Sequence, residues 1–167
     1  MPSDFDLVRR HGGDILASRG MRLSRSYMQH GRVSVFRHSL AVALLSVRLA
    51  RALRFKVDER ALVRGALLHD YFLYDWHDPD PAHRWHGFRH PATALRNARR
   101  DFDLSPVEEN MIASHMFPMV PRLPRYRESV ILCLADKICA ARETLRVRRE
   151  KPRENTPSAK GGASHDR

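Results

Sequence analysis

Ser34 to Arg54 reads SVFRHSLAVALLSVRLARALR, a stretch that is apolar around much of a helical circumference and contains neither glycine nor proline. Such a pattern marks a central, largely buried helix. One imidazole, His38, sits inside it. A second run, Gly65-Ala-Leu-Leu-His-Asp, closes on His69 and Asp70, and a third, Ile131-Leu-Cys-Leu-Ala-Asp-Lys-Ile-Cys-Ala, encloses Asp136. Buried imidazoles and carboxylates need partners, because an uncompensated ionised group in an apolar setting is costly. A shared cation would satisfy all of them.

The rest of the chain is punctuated by helix signals. Asp4 to Gly20 is expected to form a first helix, followed by a short helical or irregular segment from Met21 to Gly31. Asp58 can cap a helix running from Glu59 to about Asp70, with Leu62, Val63, Ala66 and Leu67 as its inward stripe. Tyr71 to Arg89, rich in aromatic, His and Asp residues and lacking a helical period, reads as a long ordered loop of the kind that carries function. Pro91 suits the first turn of a helix ending near Phe102. Ser105-Pro106-Val107-Glu108 is a capping box with proline at the first helical position, predicting a helix to about Met116. Pro118, Pro121 and Pro124 break the chain before a last long helix over Glu128 to Arg148. Strand signals are missing, so the expected class is all-α, with an N-terminal helical segment (1–30), one helical domain (31–149) and a disordered tail (150–167).

A length of 167 residues suits one domain, and 43% hydrophobic with 29% charged residues excludes the disordered, collagen-like and disulfide-scaffold classes. No apolar run approaches the ~20 residues that cross a bilayer, and the charged N-terminus lacks the apolar block of a signal peptide, so no membrane partner and a cytoplasmic location are expected. Cys133 and Cys139, six apart on one helix, are too distant to bridge and are not spaced for zinc, which leaves them as buried thiols. The net charge of +11 favours anionic partners without choosing among them. Because the last 18 residues contribute only one unit of it, the excess belongs to the body of the protein.

An early helical His38, the adjacent pair His69-Asp70 about thirty residues later and a distant Asp136 on a C-terminal helix resemble the HD-domain phosphohydrolase superfamily. The resemblance covers about residues 30 to 145. It implies an HD-like helical bundle whose ligands converge from separate helices on divalent metal. His90, in Gly87-Phe-Arg-His-Pro, and His115, in Ile112-Ala-Ser-His, look like the additional histidines of members that hold two ions. Nitrogen and oxygen donors without thiolate suit Fe, Mn, Ni, Co or Zn, with Mg as an oxygen-site substitute, so the expected cofactor is one or two such ions. Asp70 has two oxygens and can face both ions while His69 binds one. Two cations roughly 3.5 to 4 Å apart would acidify a water and offset phosphoryl charge.

The resemblance extends to the other site residues. His86 is a candidate contact to substrate or to a water, and Lys137, Arg84 and Arg89 are candidate phosphate contacts. Many single-metal relatives carry a glutamate three residues after the dyad's Asp and another group carries a lysine; here that position is Leu73, and Asp75 is the proposed proton donor instead. The Gly-Tyr-Pro signature of the cyclic-dinucleotide group is absent. The expected activity is metal-dependent hydrolysis of a phosphomonoester or phosphodiester, with a nucleotide among the candidate substrates and Asp70, Asp75 and His86 as catalytic residues. The alternative is a non-catalytic HD-like module binding a nucleotide or nucleic acid. His11, His30, His77, His83 and His165 are assigned no site role.

Overall fold

The computed structural model describes residues 2–30, 33–79, 81 and 84–150; the expected tail therefore lies outside the described residues, as do His83 and His165. Among the described residues seven helices follow in order: α1 (Asp4–Leu16), α2 (Arg19–Leu23), α3 (Val35–Ala52), α4 (Glu59–Leu68), α5 (His86–Asp101), α6 (Pro106–Ser114) and α7 (Arg127–Glu150). Between α2 and α3 lie two short antiparallel strands, β1 (Met28–His30) and β2 (Val33–Ser34), pairing Met28 with Ser34 and His30 with Val33. The class is all-α, as the composition and periodicity predict, with this one small ribbon among the described residues.

Helix starts follow their caps. Ser34 accepts from the Arg37 amide at the head of α3, and Asp58 accepts from the Ala61 amide at the head of α4. Ser105 and Glu108 close the anticipated capping box of α6 in both directions. Three segments differ from the sequence reading. The expected first helix is split, because Ser18 caps α2 by accepting from the Met21 amide. The segment from Met21 contributes β1, whose pairing residues are too few to show a period. Helix α5 starts five residues before Pro91, with Trp85 as its cap in the left-handed region at φ 68°. Pro91 is then an interior residue that has no N–H to offer the Gly87 carbonyl, so one rung of the α5 hydrogen-bond ladder is missing there.

Helix α3 is the centre of the bundle and packs against α1, α4 and α7, while α6 joins α4, α5 and α7. The core contains Leu7, Val8 and Ile15 of α1, Val42, Ala43 and Val47 of α3, Leu62 to Leu68 of α4, Ala94 of α5, Met111 and Ile112 of α6, and Ile131, Leu132 and Ala135 of α7. Helices α4 and α6 approach closely at Gly65, where a Cβ would meet the Met111 thioether. Inside this core Arg64 is buried but not unpaired: its Nε donates to Glu108 at 2.8 Å and its Nη1 to Asp14 at 2.6 Å. The bundle thereby fixes the C-terminal ends of α4 and α6 side by side, and those ends carry the histidines.

Candidate metal centre

Five helical elements bring six polar side chains to one buried place. His38 lies in the first turns of α3, His69 is the C-cap of α4 with Asp70 next to it, His90 lies in α5, His115 is the C-cap of α6, and Asp136 lies in the middle of α7. All six are more than nine-tenths buried. They fall into two groups, His38, His69 and Asp136, and Asp70, His90 and His115, each with ligand atoms within 4.8 Å of one another.

Asp70 stands between the groups. Its Oδ2 lies 3.3 Å from His69 Nε2 and 3.7 Å from His38 Nε2, whereas its Oδ1 lies 3.3 Å from His90 Nε2 and 3.5 Å from His115 Nε2. Asp136 Oδ1 lies 3.1 Å from His38 Nε2 and 3.7 Å from His69 Nε2.

The backbone and one carboxylate orient the rings. His69 Nδ1 donates to the Ala66 carbonyl at 2.8 Å, His90 Nδ1 to the His86 carbonyl at 3.0 Å, and His115 Nδ1 to the Ile112 carbonyl at 2.8 Å. His38 Nδ1 donates to Glu143, 3.0 Å from Oε2. Carbonyls and carboxylates only accept, so each Nδ1 carries hydrogen and each Nε2 is the atom presented to the centre. This arrangement is the one metal-ligating histidines adopt.

The electrostatics agree with a place built for positive charge. Burial pushes His38 toward neutrality, but hydrogen bonds to Asp136 and Glu143 override it and hold the ring pushed up to about 9. His69 is likewise buried yet raised well above its ordinary range by the negative charges of Asp70 and Asp136 beside it. Burial works against charge on Asp70 and Asp136 too, but the imidazoles hold both carboxyls well below the usual range. His115, desolvated and repelled by His90, is lowered to about 3. Its Nε2 is a lone pair 2.8 Å from His90 Nε2, so those two nitrogens require a proton or a cation between them. Two further buried atoms, His69 Nε2 and Asp70 Oδ1, have no hydrogen-bond partner among the described residues. Unpaired buried donor atoms of ligand type, converging in pairs, fit a divalent cation at either group.

A family model described as HD domain matches residues 35–141, well over half of the chain. The chain belongs to the HD domain family. This HD domain has the His/His-Asp/Asp set at His38, His69, Asp70 and Asp136, placed as described above, in a family composed mostly of metal-dependent hydrolases. Among the curated proteins and the solved structures no match is found.

A cavity of about 760 Å³ opens onto the centre. Its floor is Asp70, His90, His115, Asp136 and Gln29; Trp76, His86 and the apolar segment Met116 to Met119 form walls, and Lys137 and Ala140 of α7 complete it. His86 accepts or donates a hydrogen bond at 2.8 Å between Nδ1 and the Tyr74 hydroxyl, and stacks between Trp76 and His90. Lys137 Nζ donates to the His115 carbonyl at 3.3 Å.

The other predicted residues are placed differently. Arg84 and Arg89 are exposed and do not line the cavity. Asp75 does not line it either; its Oδ1 accepts from the His77 amide and faces the His77 ring, both at 3.0 Å. Leu73, at the position where relatives carry an acid or a lysine, has φ 59° and packs on the core, turned away from the cavity. Of the histidines assigned no role, His11 faces Glu59 at 4.0 Å and His30 belongs to β1.

Three residues that sequence reasoning missed contribute to the centre. Glu143 orients His38. Gln29 Nε2 donates to Asp70 Oδ2 at 2.6 Å from the small ribbon. Asn97 of α5 donates to the Tyr71 and Phe72 carbonyls at 3.1 and 2.9 Å, holding the chain that leaves the dyad. The one available hint was that Glu143 falls seven residues, two helical turns, after Asp136 on the same face of α7.

Proposed function

We propose that this HD domain is a divalent-metal-dependent phosphohydrolase that cleaves a phosphomonoester or phosphodiester, a nucleotide being one candidate, in the cavity above Asp70. The observation that carries the reading is the division of Asp70: one carboxylate oxygen faces His38 and His69, the other faces His90 and His115. In this reading His38, His69 and Asp136 hold one ion, His90 and His115 a second, and Asp70 contacts both. Ions held there supply Lewis acidity and a water of lowered pKa.

The remaining groups bind the substrate. Lys137 supplies the cavity with an ammonium to meet a phosphoryl oxygen. Arg84 and Arg89, on the outer surface, attract an anion over distance rather than hold it. Burial and the Asp70 charge keep the Tyr74 hydroxyl protonated, so it donates to His86 Nδ1 and leaves Nε2 as the hydrogen-bearing nitrogen. His86 lines the cavity, and its Nε2 N–H hydrogen-bonds the leaving-group oxygen, which takes its proton from solvent; Asp75, engaged with His77, supports this loop from outside.

The test is elemental analysis of protein purified without added metal, followed by assay with an aryl phosphate and a bis-aryl phosphate. Bound divalent metal with hydrolysis that disappears in Asp70→Ala is the expected result. Folded, metal-loaded protein that hydrolyses nothing across a broad phosphoester panel overturns the reading.

A further inference from the structure

Resting on that reading, we infer that Gln29 is a positioning residue of the metal centre, dividing the Asp70 carboxylate between the two groups of ligands. A carboxylate presents acceptors only, so the atom of Gln29 that lies 2.6 Å from Asp70 Oδ2 is the nitrogen, and the orientation of the amide follows from chemistry. Gln29 is only 7% exposed and lines the cavity. A buried amide in that position is not a solvated surface group that happens to touch an acid.

The Nε2 hydrogen bond occupies one acceptor direction of Oδ2. An Asp carboxylate turns about a soft terminal torsion; four imidazoles attract its two oxygens from both sides, and the Gln29 amide adds a directional hydrogen bond to Oδ2 alone. With Gln29 in place, Oδ2 stays on the side of His38 and His69, and Oδ1 stays 3.3 Å from His90 Nε2 and 3.5 Å from His115 Nε2. Without it, only the attraction of the imidazoles sets the carboxylate's rotation, and the charged His69 competes with His90 and His115 for its oxygens. Gln29 therefore acts on the second group through Asp70.

The other end of the amide supports the same role. Gln29 Oε1 is buried and has no hydrogen-bond partner among the described residues, a costly state for an acceptor. A donor reaching the cavity floor, whether water or a hydroxyl of the substrate, satisfies it. Gln29 is held by β1, and β2 runs directly into α3 and His38. The two-stranded ribbon is thus a support for the site.

The experiment measures divalent metal content and affinity in the whole protein, with Mn2+ and Zn2+ as probes, by elemental analysis and calorimetry. Gln29→Met keeps volume and removes the donor; Gln29→Glu keeps shape and acceptor but sets a second carboxylate against Asp70. The expected result is a second ion bound about 10- to 100-fold more weakly in Gln29→Met, with the first ion and the melting temperature of the metal-free protein close to wild type. Gln29→Glu is expected to bind that ion with an affinity different from both, because its added charge faces the same oxygen. Equal affinities for both ions in wild type and Gln29→Met overturn the inference, and so does a wild-type protein that binds one ion only. A wild-type protein that binds two ions, loses one in Gln29→Met and hydrolyses no phosphoester supports the inference while overturning the phosphohydrolase reading.

Discussion

Glu143 and His38 are 105 positions apart in the chain and meet with Oε2 3.0 Å from Nδ1, deep between α3 and α7. The carboxylate holds the ring so that Nε2 points at Asp136 and Asp70. Removing such a partner ordinarily weakens metal affinity by about 10- to 100-fold. Glu143→Ala is expected to reduce affinity at the group of His38, His69 and Asp136 by that factor, with Glu143→Gln, which retains an acceptor, falling between it and wild type. Calorimetric titration of metal-free protein measures both.

Arg64 and Glu108 form a buried pair away from the metal centre, with Asp14 as a third, more exposed partner. Truncating one member leaves the other charged and desolvated. Arg64→Ala is expected to cost roughly 3 to 5 kcal/mol of stability, read from denaturant unfolding, while Arg64→Ala protein that remains folded keeps its metal content. A loss below about 1 kcal/mol would show that water enters the space and solvates Glu108.

Lys137 lines the cavity and Arg84 and Arg89 do not. Lys137→Met is expected to lower kcat/KM on an aryl phosphate by at least tenfold. Arg84→Ala and Arg89→Ala are expected to change it by less than about threefold, with an effect that shrinks as salt is added, because a field acting over distance is screened. A steep, salt-independent loss in either arginine variant would place that side chain on the substrate.

Cys139 is a buried thiol, and burial together with the nearby Glu143 charge pushes it up to about 11. The folded protein favours the protonated thiol. That contribution to stability is complete below the ordinary value near 9 and is lost as the pH rises through about 11. Alkylation of Cys139 is therefore expected to be slow at neutral pH, and Cys139→Ala should remove part of the alkaline decline in melting temperature. Rapid labelling of Cys139 at neutral pH would contradict the burial.

Much of the ligand set was legible because burial costs act locally. His38, His69, Asp70 and Asp136 each interrupt a helix-forming apolar run, and an ionisable group in such a run calls for compensation wherever the helix packs. Caps were equally legible at Asp58 and Ser105, since a cap is satisfied by an amide only three residues away. Arg84, Arg89 and Asp75 were harder: their neighbours in sequence line the cavity, but the direction of a loop side chain depends on backbone turns such as the left-handed residues at Leu73 and Trp85.

The chain's own order of residues determined an all-α domain with imidazoles and carboxylates that had to find partners, because helix periodicity and capping are short-range properties. Only the packing of α3, α4, α5, α6 and α7 decided how those groups pair. It divided Asp70 between two sets of imidazoles, put Glu143 behind His38 and brought Gln29 to Asp70 across 41 positions. These contacts join residues with no common local pattern, and the energy that holds them comes from burying the whole bundle.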